Sequence, residues 1–243
     1  MNSMGLKTLG LIGGMSWEST VPYYREINET VKARLGGLHS AKIILYSVDF
    51  HEIEQLQASG QWDAAAAVLA GIAQKLERAG ADALVLCTNT MHKVAAAISN
   101  AVQIPLLHIA DPTAVAIKQA GYTTVGLLGT RFTMEQDFYR SRLEQDHSLT
   151  VLTPKPADRD LVHRVIYDEL CLGQVLPASR DAYLRVIADL GARGAQAIIL
   201  GCTEIAMLIG PHDCDLPLFN TTQLHAQSAA QWALAIQPLE NKA

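Results

Sequence analysis

The chain lacks paired cysteines, a surplus of basic residues and long apolar runs. Its four cysteines, Cys87, Cys171, Cys202 and Cys214, form no C-x-x-C pair, so we expect reduced thiols rather than a disulfide framework or a zinc knuckle. Lys and Arg number 19 against 24 Asp and Glu, which argues against nucleic acid as a partner. No apolar run approaches the roughly 20 residues that span a bilayer, and residues 1–8 lack a signal-peptide pattern. A cytoplasmic protein that does not act at a membrane is expected.

The sequence contains an internal repeat that relates its two halves. Its 243 residues, 49% of them hydrophobic, suffice for one large core or two small ones, and three stretches recur in the same order, which is typical of an internal repeat. In this repeat, position 88 matches position 202. The recurring pairs are Gly10–Gly13 with Gly126–Gly129, Gly80–Thr90 with Gly194–Glu204, and Ile104–His108 with Leu216–Asn220.

Helices alternate with short apolar strands. Helical periodicity covers residues 62–79 and about 179–193, and Gly80 and Gly194 follow as stop signals. Continuous apolar segments such as Ile198–Leu200 are typical of strands in a parallel sheet covered on both faces. The prediction is an α/β fold of two pseudo-symmetric parallel-sheet domains, residues 1–115 and 116–243, in which the C-terminal segment can pack back on the first domain.

Polar residues follow the two repeated strands at their carboxyl ends, where open α/β sheets bind ligands. If the halves pack about a pseudo-twofold axis, Thr88 and Cys202 approach one cleft from opposite sides. Two proton-transfer groups placed in this way suit racemisation at a carbon atom. Cys202 qualifies as the base, because a helix N-terminus or neighbouring donors lower the pKa of a thiol.

Three segments resemble the aspartate/glutamate racemase family: Gly13–Thr20, Thr88–His92 and Gly201–Glu204. The resemblance spans essentially the whole chain. It implies two similar α/β domains with the active site in the cleft between them, no cofactor, no metal, a small-molecule amino-acid substrate and a homodimer. It also implies that two cysteines act as acid and base.

One catalytic position departs from the family pattern. The first motif, Cys-Asn-Thr in the family, reads Thr88-Asn89-Thr90 here, whereas Cys202 of the second motif is present. Cys87 cannot simply replace the missing cysteine, because successive strand residues point to opposite faces. A threonine hydroxyl can pass on a proton but is too weak an acid to serve as a resting base. Since the second-half cysteine of the family serves the L enantiomer, we expect a preference for L substrates.

The resemblance also places further residues around the substrate. For each of them a structural role, such as turn or helix capping, is the alternative. His92 and His225 are interpreted as structural histidines, and Cys171 and Cys214 as incidental thiols. The expected substrate-binding residues are Met15, Ser16, Gln57 (in a loop-like region), Asn89, Thr90, Thr130, Thr133, Thr203 and Glu204.

The identity of the substrate side chain stays open. Some aspartate racemases carry a lysine where this chain has Cys171 in Glu169–Gly173, so one clamp for a side-chain carboxylate is missing. Arg25, Arg131 or Arg159 can compensate, or the substrate is neutral and polar, such as homoserine. Other hypotheses are a sister reaction (hydantoin racemisation, decarboxylation or dicarboxylate isomerisation) and a degenerate racemase that only binds an amino acid.

Overall fold

Two parallel four-stranded sheets form the centre of the molecule. The structure, a computed structural model, describes residues 5–235. The first sheet consists of β1 (Thr8–Gly13), β2 (Lys42–Ser47), β3 (Ala83–Leu86) and β4 (Leu106–Leu107), in the spatial order β2-β1-β3-β4. The second sheet consists of β5 (Thr124–Gly129), β6 (Thr150–Leu152), β7 (Ala197–Gly201) and β8 (Leu218–Asn220), in the order β6-β5-β7-β8.

The two sheets have the same connectivity. In each sheet the first strand lies between the second and the third, and all pairs are parallel. The repeated Gly-Leu-Ile/Leu-Gly sequences form the central strands β1 and β5, and the repeat around position 198 forms β7, the equivalent of β3. The predicted α/β fold with two parallel sheets is therefore confirmed.

Helices cover the sheets, and none in the described part of the chain is long and apolar enough to cross a membrane. Short 3₁₀ turns lie at Thr90–Val94 and Leu170–Leu172, and a π turn at Arg142–Asp146. The α-helices are α1 (Trp17–Leu35), α2 (Phe50–Ala58), α3 (Trp62–Arg78), α4 (Ala95–Asn100), α5 (Ala110–Gln119), α6 (Arg131–Glu135), α7 (Asp137–Ser141), α8 (Pro156–Asp168), α9 (Pro177–Ala192), α10 (Ile205–Leu208) and α11 (Thr221–Leu234).

The two periodic helices end as the sequence predicts. Helices α3 and α9 lie within one or two residues of the expected bounds. Gly80 and Gly194, which follow them, have φ angles of 96° and 103°. Residues other than glycine rarely adopt such φ angles. Glycine at these two positions therefore lets the backbone turn from the helix into the next strand.

The last helix of each half packs on the sheet of the other half. Helix α5 contributes Ala114 and Ile117 to the core beside β5 and β7. In α11, small side chains, among them Ala226 and Ala230, pack against β1, β3 and α1, in line with the expected return of the C-terminal segment. The division into residues 1–115 and 116–243 stays a prediction, and this exchange of helices ties the two halves together.

His225 fastens α11 to the first sheet. Its Nε2 donates to the carbonyl of Leu107, 2.8 Å away, and its Nδ1 accepts from the hydroxyl of Tyr23 at 2.8 Å. A backbone carbonyl only accepts, so the ring is held as the neutral tautomer. Burial lowers the pKa of His225 to about 4.

Acidification should therefore loosen this contact. Between the ordinary histidine pKa of about 6.5 and the value of about 4 in the folded protein, the unfolded chain binds more protons, so the free energy of unfolding falls as pH drops. Thermal unfolding followed by circular dichroism at pH 7, 5.5 and 4.5 should show a smaller pH dependence for His225→Gln than for the wild type. Equal slopes for the two proteins would contradict this role.

Candidate active site

The carboxyl ends of β3 and β7 meet at one buried cavity. Thr88 follows the first of these strands, Cys202 follows the second, and both line the cavity. Nearby, the hydroxyl oxygens of Thr90 and Thr130 are hydrogen-bonded at 3.0 Å, one from each half of the chain. The expectation that the two repeated strand ends face each other is confirmed.

Most of the predicted site residues lie on the cavity wall, and their catalytic and binding roles stay predictions. Ser16 and Thr133 lie directly behind the wall: the Ser16 hydroxyl donates to Glu204 at 2.7 Å, and the amide of Thr133 donates to the Thr130 hydroxyl at 3.3 Å. The predicted residues that lie on the wall are Met15, Gln57, Thr88, Asn89, Thr90, Thr130, Cys202, Thr203 and Glu204.

The turn after β1 is tied to the helix that follows it. The amide of Gly14 donates to the Thr20 hydroxyl at 2.8 Å, and Thr20 lies in the first turn of α1. This amide therefore fastens the helix, and Met15 is the residue of the turn that reaches the cavity.

Gln57 lies in α2 rather than in the loop-like region that was expected. The Asp49 side chain caps this helix by accepting from the amide of His51 at 3.1 Å, so the helix begins at Phe50, and it continues to Ala58. Gln57 is buried, donates through Nε2 to the Met91 sulfur at 2.9 Å and accepts through Oε1 from the Tyr167 hydroxyl at 2.9 Å.

The Glu204 carboxylate organises the wall next to Cys202. Its Oε2 accepts from the Cys202 thiol at 2.9 Å and from the Thr203 hydroxyl at 2.6 Å, and its Oε1 accepts from Ser16. Glu204 is 2% exposed, and no residue in the range 5–235 forms a salt bridge with it. A buried carboxylate is held here by neutral donors alone.

Cys202 is a thiol in this environment. Burial raises the pKa of Cys202 well above its ordinary value, and the neighbouring Glu204 charge raises it further, because both disfavour a thiolate. The sequence suggested that neighbouring donors lower this pKa. The backbone amide of Glu204 does donate to the sulfur and lowers the pKa, but burial and the Glu204 carboxylate outweigh it, so the net direction is opposite to the expected one.

Cys87 points away from the cavity. It is fully buried in the core between the first sheet, α1 and α11, and its thiol donates to the carbonyl of Val85 at 3.7 Å. Burial raises the pKa of this thiol as well. The alternation of side chains along β3 thus has the predicted effect, and Thr88 is the residue at the cavity.

The backbone of Thr88 is held by a neutral histidine. His92 Nδ1 donates to the Thr88 carbonyl at 2.7 Å, and its Nε2 accepts from the amide of Ile109 at 3.2 Å. Burial lowers the pKa of His92, and the nearby His108 and His225 lower it further. Both ring nitrogens of His92, like those of His225, are engaged in hydrogen bonds, so the structural interpretation of these two residues is confirmed.

Asn89 offers an acceptor at the cavity. Its Nδ2 donates to the Thr221 hydroxyl at 3.0 Å, and that hydroxyl donates to the carbonyl of Leu200 at 2.8 Å. This chain of donors fixes the orientation of the amide. Among the described residues, no hydrogen-bond donor reaches the buried Oδ1 of Asn89.

Four residues of the wall escaped the sequence analysis: Phe50, Ile166, Tyr167 and Cys171. Phe50 and Tyr167 stack across the cleft with ring centres 6.4 Å apart, a long-range contact that leaves no local sequence signal. Cys171 was interpreted as an incidental thiol, but it lies on the wall with its sulfur 3.8 Å from Glu204 Oε1. The available signal was that Cys171 stands where some aspartate racemases carry a lysine. Cys214, by contrast, bonds to Leu216 away from the cavity.

The cavity is narrow. Its free space is about 20 Å³, roughly the room of one water molecule, so an amino acid fits only when the wall residues move apart. The Phe50–Tyr167 stack and a contact between Trp62 and Phe132, with ring centres 5.1 Å apart, join the two halves beside it. Separation of these aromatic pairs is a route by which the cleft can open.

Comparison with known proteins gives one consistent result. Residues 12–229 match the family model for Asp/Glu/hydantoin racemases. A crystal structure from Yersinia pestis, proposed to be an Asp/Glu racemase, is 62% identical with a TM-score of 0.88 and covers 94% of this chain and 100% of its own. An aspartate racemase homologue from Pyrococcus horikoshii OT3 is 30% identical with a TM-score of 0.81 and the same coverage. The broad specificity amino-acid racemase RacX of Bacillus subtilis (strain 168) is 22% identical over 250 residues, 94% of this chain and 99% of RacX.

Fold, cavity and comparisons together define an isomerase of the amino-acid racemase class. The chain belongs to the Asp/Glu/hydantoin racemase family. The resemblance read from the sequence motifs is thereby confirmed.

The environment of Cys202 yields a direct test. In Glu204→Gln the negative charge beside the sulfur is lost, so the pKa of Cys202 should fall and iodoacetamide should alkylate Cys202 at pH 8 about tenfold faster for each unit of the fall. Mass spectrometry of the Cys202 peptide reports the rate. Cys214 in the same protein is partly exposed and lies away from the cavity, so its alkylation rate serves as an internal control. An unchanged or slower Cys202 rate would refute the role assigned to Glu204.

Proposed function

We propose that the protein is a cofactor-independent racemase that interconverts the L and D forms of aspartate, glutamate or similar small polar amino acids and prefers the L form. Cys202 is the base on the L face, and Thr88 assists reprotonation of the other face. The observation that carries the proposal is that these two side chains, from equivalent positions of the repeat, line one buried cavity. Family membership supports it.

Substrate binding is the step that activates Cys202. The α-ammonium group of an amino acid is a cation that can pair with Glu204 and with Asn89 Oδ1. Once the Glu204 charge is balanced, the thiolate of Cys202 is less disfavoured. Glu204 passes the thiol proton on to solvent, and this proton neutralises the hydroxide that forms when Thr88 draws a proton from water. The thiolate then removes the α-proton of the L substrate, which becomes the new S–H proton.

Thr88 completes the reaction on the opposite face. Its hydroxyl passes a proton from water to the carbanion, so no resting alkoxide is needed. Hydroxyl groups of Thr90 and Thr130 can bind the α-carboxylate, and that of Thr203 can join them when the ammonium group replaces it at Glu204. Met15, Ser16, Gln57 and Thr133 shape the site around them. Because such donors are preorganised, they can stabilise the enolate as charge develops on the carboxylate.

The residues of the cavity wall also bear on whether the reaction uses pyridoxal phosphate. Pyridoxal phosphate enzymes hold their cofactor through a lysine Schiff base, and the cavity lining within residues 5–235 includes no lysine. Side chains and backbone of the protein itself supply the acid, the base and the carboxylate donors in our proposal. We therefore propose catalysis without a cofactor.

Preference for the L form has a thermodynamic limit. The two enantiomers have equal free energies, so kcat/KM is the same in both directions. A poor second-face donor shows itself instead as unequal kcat and KM values, or as exchange of the α-proton without inversion. Thr88 is the residue that decides between these outcomes.

Exchange in D₂O tests the proposal. With L-glutamate or L-aspartate, the wild type should deuterate the α-carbon and form D product, and Cys202→Ser should lose about 10²- to 10⁴-fold in both signals. NMR reports deuteration, and chiral chromatography reports the D enantiomer. Exchange that survives in Cys202→Ser would contradict the assigned base. Absence of both signals across a wider amino-acid panel would favour the amino-acid-binding protein or a sister reaction of the family.

Substitution of Thr88 separates its role from that of Cys202. Thr88→Ala should keep deuteration of the L substrate but lose formation of D product, because only the second-face donor is removed. Thr88→Cys, which restores the family residue, should raise kcat with D substrates, because a thiol is a much stronger acid than a hydroxyl. Equal loss of deuteration and inversion in Thr88→Ala would show that Thr88 does not act as the second-face donor.

The homodimer and the cytoplasmic location also stay predictions. Static light scattering after gel filtration should give a mass near twice the chain mass of 26.3 kDa. A mass near 26 kDa at micromolar concentration would contradict the dimer.

A further inference from the structure

We propose that Thr221 is a positioning residue of the racemase reaction. Its hydroxyl ties the segment after β3 to β7 and holds the Asn89 amide so that the amide oxygen is left for the ammonium group of the substrate. Thr221 is the first residue of α11, is fully buried and lies outside the cavity wall. The inference rests on the proposed function and adds to it a residue that acts through another side chain.

The Thr221 hydroxyl makes two hydrogen bonds that join the two strand ends. It accepts from Nδ2 of Asn89 at 3.0 Å and donates to the carbonyl of Leu200 at 2.8 Å. Asn89 directly follows Thr88, and Leu200 lies two residues before Cys202. One buried hydroxyl therefore connects the two segments that carry the proposed acid and the proposed base.

The direction of these hydrogen bonds sets the orientation of the Asn89 amide. A backbone carbonyl only accepts, so the single hydroxyl proton of Thr221 goes to Leu200, and the hydroxyl oxygen accepts from Asn89. The atom of Asn89 that faces Thr221 is then the nitrogen, and no donor among the described residues reaches Oδ1. Without the hydroxyl the amide can turn over and present N–H groups, which do not accept from an ammonium group.

The start of helix α11 does not depend on this hydroxyl. The Asn220 side chain caps the helix by accepting from the amides of Thr222 and Gln223 at 3.0 and 3.3 Å. His225 holds the helix on the first sheet through Leu107. The hydrogen bonds of Thr221 therefore serve the strand ends and not the helix.

Thr222 provides a matched control at the next position of the same helix. Its side chain is also buried, but no partner for its hydroxyl lies within residues 5–235. Substitution by valine replaces a hydroxyl with a methyl group of similar size at either position. The variants Thr221→Val and Thr222→Val thus differ in the hydrogen bonds that are lost.

Kinetics of α-proton exchange in D₂O with L-glutamate and L-aspartate test the inference. Thr221→Val should raise KM about tenfold, as expected for loss of a hydrogen bond to a charged group. It should leave kcat nearly unchanged, because saturating substrate still pairs with Glu204. Thr222→Val, and Thr221→Ser with its hydroxyl retained, should keep the wild-type KM.

Three other results would be decisive. A wild-type KM in Thr221→Val would overturn the inference and leave the racemase proposal standing. An equal rise of KM in both valine variants, or no rescue by Thr221→Ser, would show that packing of the helix is responsible and would also overturn it. Absence of exchange in the wild type would overturn the proposed function and the inference with it.

A double-mutant cycle shows whether Thr221 acts through Asn89. Asn89→Ala removes the amide, so addition of Thr221→Val to this variant should raise KM no further. Additive effects of the two substitutions would show a different route and contradict the inference. Circular dichroism reports whether each variant is folded. If Thr221→Val is not, Thr221→Ala, which places no methyl group against the Leu200 carbonyl, carries the same predictions.

Discussion

A buried carboxylate without a cationic partner is the constraint on which the site depends. Glu204 receives hydrogen bonds from Ser16, Thr203 and Cys202 and forms no salt bridge within the described residues. Burial of Cys202 and the neighbouring Glu204 charge together raise the pKa of this thiol. In our proposal the same carboxylate pairs with the ammonium group of the substrate, and this pairing makes Cys202 a base.

The internal repeat of the fold produces this arrangement. Two parallel sheets of equal connectivity bring their carboxyl ends together, and the exchanged helices α5 and α11 hold the halves in place. Thr88 and Cys202 occupy equivalent positions, but the two halves support them differently. His92 fixes the backbone of Thr88, whereas Glu204 acts on the side chain of Cys202. The symmetric fold therefore holds two different side chains, a hydroxyl and a thiol, at equivalent positions of the cavity.

Local sequence signals predicted the elements and the strand ends. Gly80 and Gly194 marked the helix ends, and the repeat placed positions 88 and 202 at one cleft. Such local signals could not predict contacts between segments that are distant in the sequence. The stack of Phe50 on Tyr167 and the place of Cys171 beside Glu204 depend on how the two halves meet. The pKa of Cys202 was predicted in the wrong direction because its main cause, the burial of Cys202, and the second, the charge of the buried Glu204, are properties of the packed molecule.

The central claim is that the ammonium group of the substrate turns Cys202 from a thiol into a base. A substrate analogue with a methyl group in place of the α-hydrogen binds but cannot react. Thiolate absorbance at 240 nm, taken as wild type minus Cys202→Ser, can be titrated against pH with and without α-methyl-L-glutamine or α-methyl-L-glutamate. The account predicts that bound analogue lowers the pKa of Cys202 and that this shift is absent in Glu204→Gln. A pKa that is unchanged or raised by the bound analogue would contradict it.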